Sequence, residues 1–370
     1  MLNMRKWMAF LCVWTMMVLA VTGASAAGVT LRTFTPFADL DAAAQDYMDM
    51  ITAWESENGN VIEDYSGLTD EAWMENMRAM VRAGEADIVV LPVGSGLTYE
   101  ELVTVEELME AVPDMGVRSF TALTEEDGSV LLSPLRMGYE ALYINEDVLM
   151  AHGLSVPQTY EELIVVCSVL SGAGVTPMAN ALGDWAEIVL DCAALASSPA
   201  ETFGEEASLN GAQNMLAALC AVGAFGSDPF SGSDMEAMQA FVDGKTAMRM
   251  DSDMLAHMIP SDRLSSVVAI PMPQRAGEEH GVLCGTAGFG VGITRACWED
   301  DARCEAAISF VRMMLTDAQV YQQLAVGVDG VLGESISDML LEAEDCSGIL
   351  YDQMEGDFDS WAAGVVESLK

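Results

Sequence analysis

The chain has 370 residues, 51% of them apolar, and a formal charge of −43. That length allows about two domains, each with a sizeable core. A field this negative repels nucleic acid and anionic membrane surfaces, so neither is expected as a partner. After Lys6 only Lys245 and Lys370 remain. The ordinary reading of such acidity is a solvated surface, with attraction of cationic ligands as the alternative.

Arg5 and Lys6 precede an apolar run from Trp7 to Val21, and Ala24-Ser25-Ala26 follows with the small residues of a signal-peptidase site. Residues 1–27 are therefore expected to be a signal peptide cleaved near Ala26, and the run is too short to be read as a membrane span. Cys12 lies inside this run without the small residues that precede a lipid-attachment cysteine. The chain is thus expected to be exported, to a periplasm or the cell exterior. Seven cysteines follow the cleavage point, so one at least is unpaired in a monomer. None form a C-x-x-C pair, and buried free thiols are the default expectation.

Val29 to Phe34 reads as a strand. Leu40, Ala44, Tyr47, Met48, Ile51 and Trp54 then fall on one helical face that Asn58-Gly59 ends. Asn60 to Tyr65 reads as a strand, and a helix is expected from about Thr69 to Ala83. Asp70 and Glu71 open that helix and Arg78 and Arg82 close it, as the helix dipole favours. Asp87 to Pro92 is an apolar, buried type of strand. This alternation predicts a parallel sheet.

Glu125 to Gly128 reads as a turn before the apolar stretches Ser129–Ser133 and Ala141–Ile144. Thr159 and Glu162 have capping-box spacing at the start of a largely helical section that reaches about Phe241. Strands are expected at Thr246–Met250, Val267–Ile270 and Phe289–Ile293, and a helix from Glu299 to about Leu315.

Several of these segments, in order, resemble the extracellular solute-binding proteins of ABC importers, the sugar-type family that includes the maltose-binding protein. They are Val29–Asn58, Met80–Leu91, Ser133–Leu149, Gly153-Leu-Ser-Val-Pro-Gln-Thr-Tyr-Glu-Glu-Leu163, Phe241-Val-Asp-Gly-Lys-Thr-Ala-Met248 and Gly285-Thr-Ala-Gly-Phe-Gly290. Tyr160 stands where that family often has Trp. The resemblance implies an α/β fold of two discontinuous lobes with a ligand cleft between them, the type II periplasmic-binding-protein fold. It puts lobe one at 28–135 plus 272–330 and lobe two at 136–271 plus 331–370. It further implies capture of a small solute, a sugar or oligosaccharide foremost, by lobe closure. The implied partner is a membrane permease, and a monomer without cofactor is expected.

Ligand contacts in such a cleft follow the carboxyl ends of strands. Phe37 follows the first strand, and its alternative role is to staple the helix start. Ser95, in Gly94-Ser-Gly96, follows the Asp87–Pro92 strand, where a plain turn is the alternative. Arg136 and Tyr139 lie in the crossover, where an Arg can fork onto hydroxyls or pair with an acid of the protein itself. The resemblance expects a second-lobe stacking aromatic near Trp185, with core packing as its other role. Asp251 and Asp253 follow the Thr246–Met250 strand, although the family often carries Trp near Asp253. Thr286 and Gly288 either admit a ligand to the backbone or turn the chain.

Other classes find little support. No H-E-x-x-H, G-x-S-x-G or nucleotide-binding fingerprint occurs, and Gln239 stands where a P-loop ending at Gly244-Lys245-Thr246 needs its first Gly. His152, His257 and His280 are far apart, and no Cys/His spacing marks a metal site. The chain is therefore not expected to be an enzyme. A polyamine or other cationic-solute receptor stays open, because Asp184, Asp251 and Asp253 are candidates for the cleft. A secreted ligand-sensing protein without a transport role also stays open.

Overall fold

The computed structural model describes residues 28–38, 41–183, 187–197, 202–275, 282–285, 288–354 and 358–370, and of 352 and 353 the backbone alone. Two sheets organise the described chain. The first has five strands in the order β2-β1-β3-β9-β4: β1 Thr30–Phe34, β2 Val61–Asp64, β3 Ile88–Pro92, β4 Ser133–Arg136 and β9 Phe289–Ile293. Strands β1, β2 and β3 are parallel, as the alternation of strand and helix predicts, while β9 is antiparallel to both β3 and β4. The second sheet has the order β6-β5-β7, all antiparallel: β5 Glu140–Asn145, β6 Met248–Ser252 and β7 Val267–Ile270. A parallel pair, β8 Val282–Cys284 and β10 Asp345–Ser347, stands beside it.

Period-two alternation decides which side of each strand meets which helix. On β1, Thr33 takes a hydrogen bond from Tyr47 of the helix Ala44–Asn58 (3.0 Å), while Phe34 meets Trp73 of the helix Glu71–Arg82 edge-on (5.7 Å). The first of these helices buries Tyr47, Met50, Ile51 and Trp54, the stripe read from the sequence. Gly59 closes it at φ 69°, where a side chain would be strained. Asp70 caps the second helix by accepting from the Trp73 amide at 2.9 Å. Strand β5 is buried on both faces. Ala141 and Tyr143 join the core continuous with the first sheet, and Leu142 and Ile144 join the core under the helices Tyr160–Gly172, Glu187–Leu195 and Glu206–Ala221.

Two segments take a more particular form than their sequence patterns. The apolar stretch Ser129–Ser133 contributes only its last residue to a strand, β4, which contains Pro134. Proline lacks the N–H of a ladder donor, and β4 tolerates it as an edge strand with a bulge between Pro134 and Arg136. At the helix Tyr160–Gly172, the Thr159 hydroxyl accepts from the Glu162 amide (3.2 Å), but the Glu162 carboxylate takes the amide of Gln158 (2.7 Å), so the box is only half closed. A complete capping box forms at Thr104 and Glu107 instead. Among the described residues, no helix is long and apolar enough to cross a membrane.

Candidate functional site

The order of strands brings particular loops together. The carboxyl ends of β1, β2 and β3 share one edge of the first sheet. Arg136 at the end of β4 and Pro92 at the end of β3 both pair with Phe289 at the start of β9. Only Met137–Tyr139 separates β4 from β5, and only residues 285–288 separate β8 from β9. In the second sheet the start of β5 pairs with the end of β6, Glu140 opposite Ser252, and β7 ends opposite Leu142. The rims of both sheets therefore face the two crossing segments. Those segments touch: a Cβ on Gly288 would lie 1.9 Å from the Arg136 carbonyl oxygen, and one on Gly285 would lie 1.9 Å from that of Gly138. Glycine is needed at both positions for backbone contact.

On the first-sheet rim the predicted residues are largely engaged by the protein. Phe37 is 1% exposed, its ring 5.2 Å from that of Tyr47, and the Arg136 guanidinium lies over it at 4.9 Å. Arg136 also makes a forked pair with Asp41 (2.7 and 3.1 Å) and donates to the Leu324 carbonyl (3.0 Å). Burial tends to raise the Asp41 pKa, but the Arg136 pair and the Ala43 amide outweigh it and hold the carboxyl below its ordinary range. Ser95 is buried and its carbonyl accepts from Arg78 (3.1 Å), while the neighbouring Gly94 amide points at the Glu125 carboxylate (3.3 Å).

The second-sheet rim holds a pocket of about 250 Å³. It is lined by the charged Arg249, Asp234 and Asp251 and by apolar side chains that include Met238, Met254 and Met258. Arg249 is 3% exposed and grips Asp234 with both terminal nitrogens (2.6 and 3.1 Å). Its Nε donates to Asp251, which also accepts from the Ser252 amide at 2.8 Å. Burial opposes the Arg249 charge, yet the two carboxylates raise its pKa on balance. Asp253 opens the 3₁₀ turn Asp253–Met258, its amide bonded to the Tyr139 carbonyl (2.9 Å). Burial raises the Asp253 pKa and His257 partly offsets this. Tyr139 is 5% exposed beside the Tyr143 hydroxyl (3.4 Å), and burial pushes its phenol up.

The fold thus gathers Asp251, Asp253 and Tyr139 around β5 and β6. Phe37, Ser95, Arg136 and Gly288 lie on the opposing rim. Trp185, Thr286 and Asp184 lie outside the described residues. Three participants escaped the sequence reading. Arg249 and Asp234 are 15 positions apart on a strand and a helix, and only the docking of the helix Asp234–Val242 on β6 reveals the ion pair. Tyr65 follows β2 and is 39% exposed, stacked at 5.1 Å on Phe34, with its carbonyl held by the Trp73 indole (2.9 Å). Applied to β2, the strand-end rule would have found it.

This geometry has a clear counterpart among known proteins. The chain belongs to the bacterial extracellular solute-binding proteins, whose family model matches residues 37–321. It is similar in structure to the bacterial solute receptor AcbH, described as exclusive for β-D-galactopyranose, with 12% identity and TM-score 0.61 over 93% of this chain and 97% of that one. A probable secreted solute-binding lipoprotein from Streptomyces coelicolor is 16% identical at TM-score 0.60, over 93% and 99% of the two chains. The cyclic α-maltosyl-1,6-maltose binding protein from Arthrobacter globiformis is 15% identical at TM-score 0.54, over 92% and 96%. No curated protein sequence matches the chain. The fold is therefore the two-lobed type II solute-binding fold expected from the sequence, and the family is one of extracellular receptors.

Proposed function

We propose that this protein is the substrate-binding component of an ABC importer and captures a sugar or oligosaccharide by closing its two lobes. The carrying observation is the pocket at the end of β6, set beside the crossing segments in a chain of the solute-binding family. Sugars need fixed hydrogen-bonding groups for their hydroxyls and apolar faces for their rings. The Arg249–Asp251 pair offers the first, and the pocket's methionines with Tyr65 across the cleft offer the second. Closure removes water from the solute, which in turn stabilises the closed state by its differential affinity. Residues 1–27 serve as the export signal, and a membrane permease receives the solute.

The lobes follow 28–135 with 272–330 and 136–271 with 331–370, refined at two places. The pairing of β8 with β10 beside the second sheet supports a return crossing after β8 rather than at 272. The helix Gly330–Glu342 packs on β7, its Ser335 hydroxyl accepting from the Ala269 amide (3.0 Å), and so belongs with lobe two from its first turn. Of the expected contacts, Phe37, Ser95, Arg136, Tyr139, Asp251, Asp253 and Gly288 are proposed to line this cleft or to brace the groups that do; Trp185 and Thr286 lie outside the described residues.

A cationic solute is a second reading, favoured by the partly buried Asp253 at the pocket's edge. Against it, Asp234 and Asp251 already share the positive charge of Arg249, which offsets one of their two negative charges. A thermal-shift panel separates the two. At a hundredfold excess over the dissociation constant, a true ligand adds about 2.7 kcal/mol of stability. Stabilisation by neutral sugars is expected. Stabilisation by polyamines alone would overturn the sugar assignment.

A further inference from the structure

A second group of chemistry-bearing side chains lies deeper, where both crossing segments enter lobe two. Glu140 opens β5, Cys284 ends β8, and Asp191 projects from the helix Glu187–Leu195. One donor atom of each, two carboxylate oxygens and a sulfur, lies within 4.8 Å of the others, and all three residues are buried. Glu140 is 4% exposed, and its Oε2 has no hydrogen-bond partner. Ser347 is 1% exposed, and its Oγ likewise has none. Ser347 is the register partner of Cys284 in the parallel β8–β10 pair, so the two side chains stand on the same face. Asp191 is oriented by the Leu350 amide (2.9 Å), as an outer-shell donor orients a ligating carboxylate.

A carboxylate buried as Glu140 is costly without a counter-ion. Beyond burial, the strongest influences on Glu140 are the negative charges of Asp191, Asp251 and Asp253. No basic side chain is among them, and buried carboxylates are normally paired or bound to metal. The Arg249 guanidinium serves Asp251 and Asp234 instead.

We propose that Glu140, Asp191 and Cys284 form a binding site for a divalent cation of zinc type, with a water held by Ser347 in the fourth position. Mixed oxygen and thiolate donors suit zinc better than the all-oxygen shells of calcium or magnesium. Tetrahedral zinc with bonds of about 2.0–2.3 Å separates its donors by about 3.3–3.8 Å, so the group needs to contract by about 1 Å. On binding, Cys284 gives up its thiol proton to solvent and the cation ties together β5, β8 and the helix Glu187–Leu195. No Cys/His spacing announces this site, because its three donors are scattered through the chain and two are carboxylates. The inference does not depend on the identity of the transported solute.

The test is titration of the chelator-treated full-length mature protein with zinc chloride, in excess calcium to occupy surface carboxylates. One zinc per chain and a raised melting temperature are expected. Cadmium in place of zinc should add thiolate charge-transfer absorption in the ultraviolet, and Cys284→Ser should remove it. Glu140→Gln should weaken zinc binding by more than about 100-fold, since loss of an outer-shell partner already costs 10–100-fold. Should Cys284→Ser fail to fold, Glu140→Gln and the wild-type cadmium spectrum carry the test. Absence of equimolar zinc, or zinc binding unchanged in Glu140→Gln, would overturn the proposal. Stabilisation by Glu140→Gln without zinc binding would do so too, and would mean that the two carboxyls share a proton.

Discussion

The two rims that face the crossing segments are built on different principles. On the first-sheet rim, the polar groups are spent on the protein itself: Arg136 on Asp41 and Leu324, Ser95 on Arg78, Gly94 on Glu125. What remains outward is an aromatic surface, Tyr65 on Phe34 with Trp73 behind. On the second-sheet rim the charges are also spent on one another, Arg249 on Asp234 and Asp251, but these groups line a pocket together with Met238, Met254 and Met258. The difference teaches that a strand-end position is not enough to make a contact residue. A side chain at a strand end meets a ligand only if the surrounding loops leave it lining an opening, as Arg249 and Asp251 line the pocket, or leave its ring uncovered, as at Tyr65.

The largest expected effect breaks the second rim. Arg249→Ala would strand two carboxylates that are nearly enclosed, a loss of about 3–5 kcal/mol in denaturant unfolding. Arg249→Met with Asp234→Asn and Asp251→Asn should recover most of it while still losing solute binding, which separates the pair's structural role from its recognition role. Next is the junction between the rims. Gly288→Ala drives a methyl into the Arg136 carbonyl, and because the obstacle is backbone the expected cost is about 3 kcal/mol, at the high end for overpacking.

The first rim should respond more weakly and through pH. Arg136→Ala is expected to cost about 2 kcal/mol near neutrality, the scale of charged hydrogen bonds. Because the folded Asp41 pKa is depressed, its contribution is complete above the unfolded value of about 3.9 and is lost as pH falls through the lower folded value. The variant should therefore lose less stability than wild type over that acid range, as equilibrium unfolding at a series of pH values would measure. Smallest is Tyr65→Ala, which should leave the fold intact and weaken solute binding by about 2–10-fold, the scale of one ring contact, in calorimetric titration. Unchanged affinity would remove the aromatic surface from the cleft.

Much of the fold was legible because its periodic segments are strong. The stripe Tyr47–Trp54, the apolar run of β3 and the strands β7 and β9 lie where their patterns put them. Strand β4 was not read as a strand, because Pro134 weakens a strand pattern unless the strand is known to be an edge. The short β8 and β10, of three residues each, carry too little periodicity to read and gain their identity only by pairing with each other. The candidate site was legible only as positions near strand ends. Asp251 was expected after a strand but lies inside β6, which runs two residues later than its pattern placed it; its bond to Arg249 depends on rotamers, and the approach of Asp234 depends on how the helix Asp234–Val242 docks. Glu140 and Cys284 are 144 positions apart in number, and only the adjacency of the crossing segments makes them neighbours.

Small-angle X-ray scattering across a panel of mono- and oligosaccharides tests the central claim most directly. If the two rims close on a solute, one or more sugars should lower the radius of gyration, and Arg249→Met/Asp234→Asn/Asp251→Asn should not respond to them. Sugars that bind in calorimetry while the scattering curves of wild type stay superimposable would contradict capture by closure.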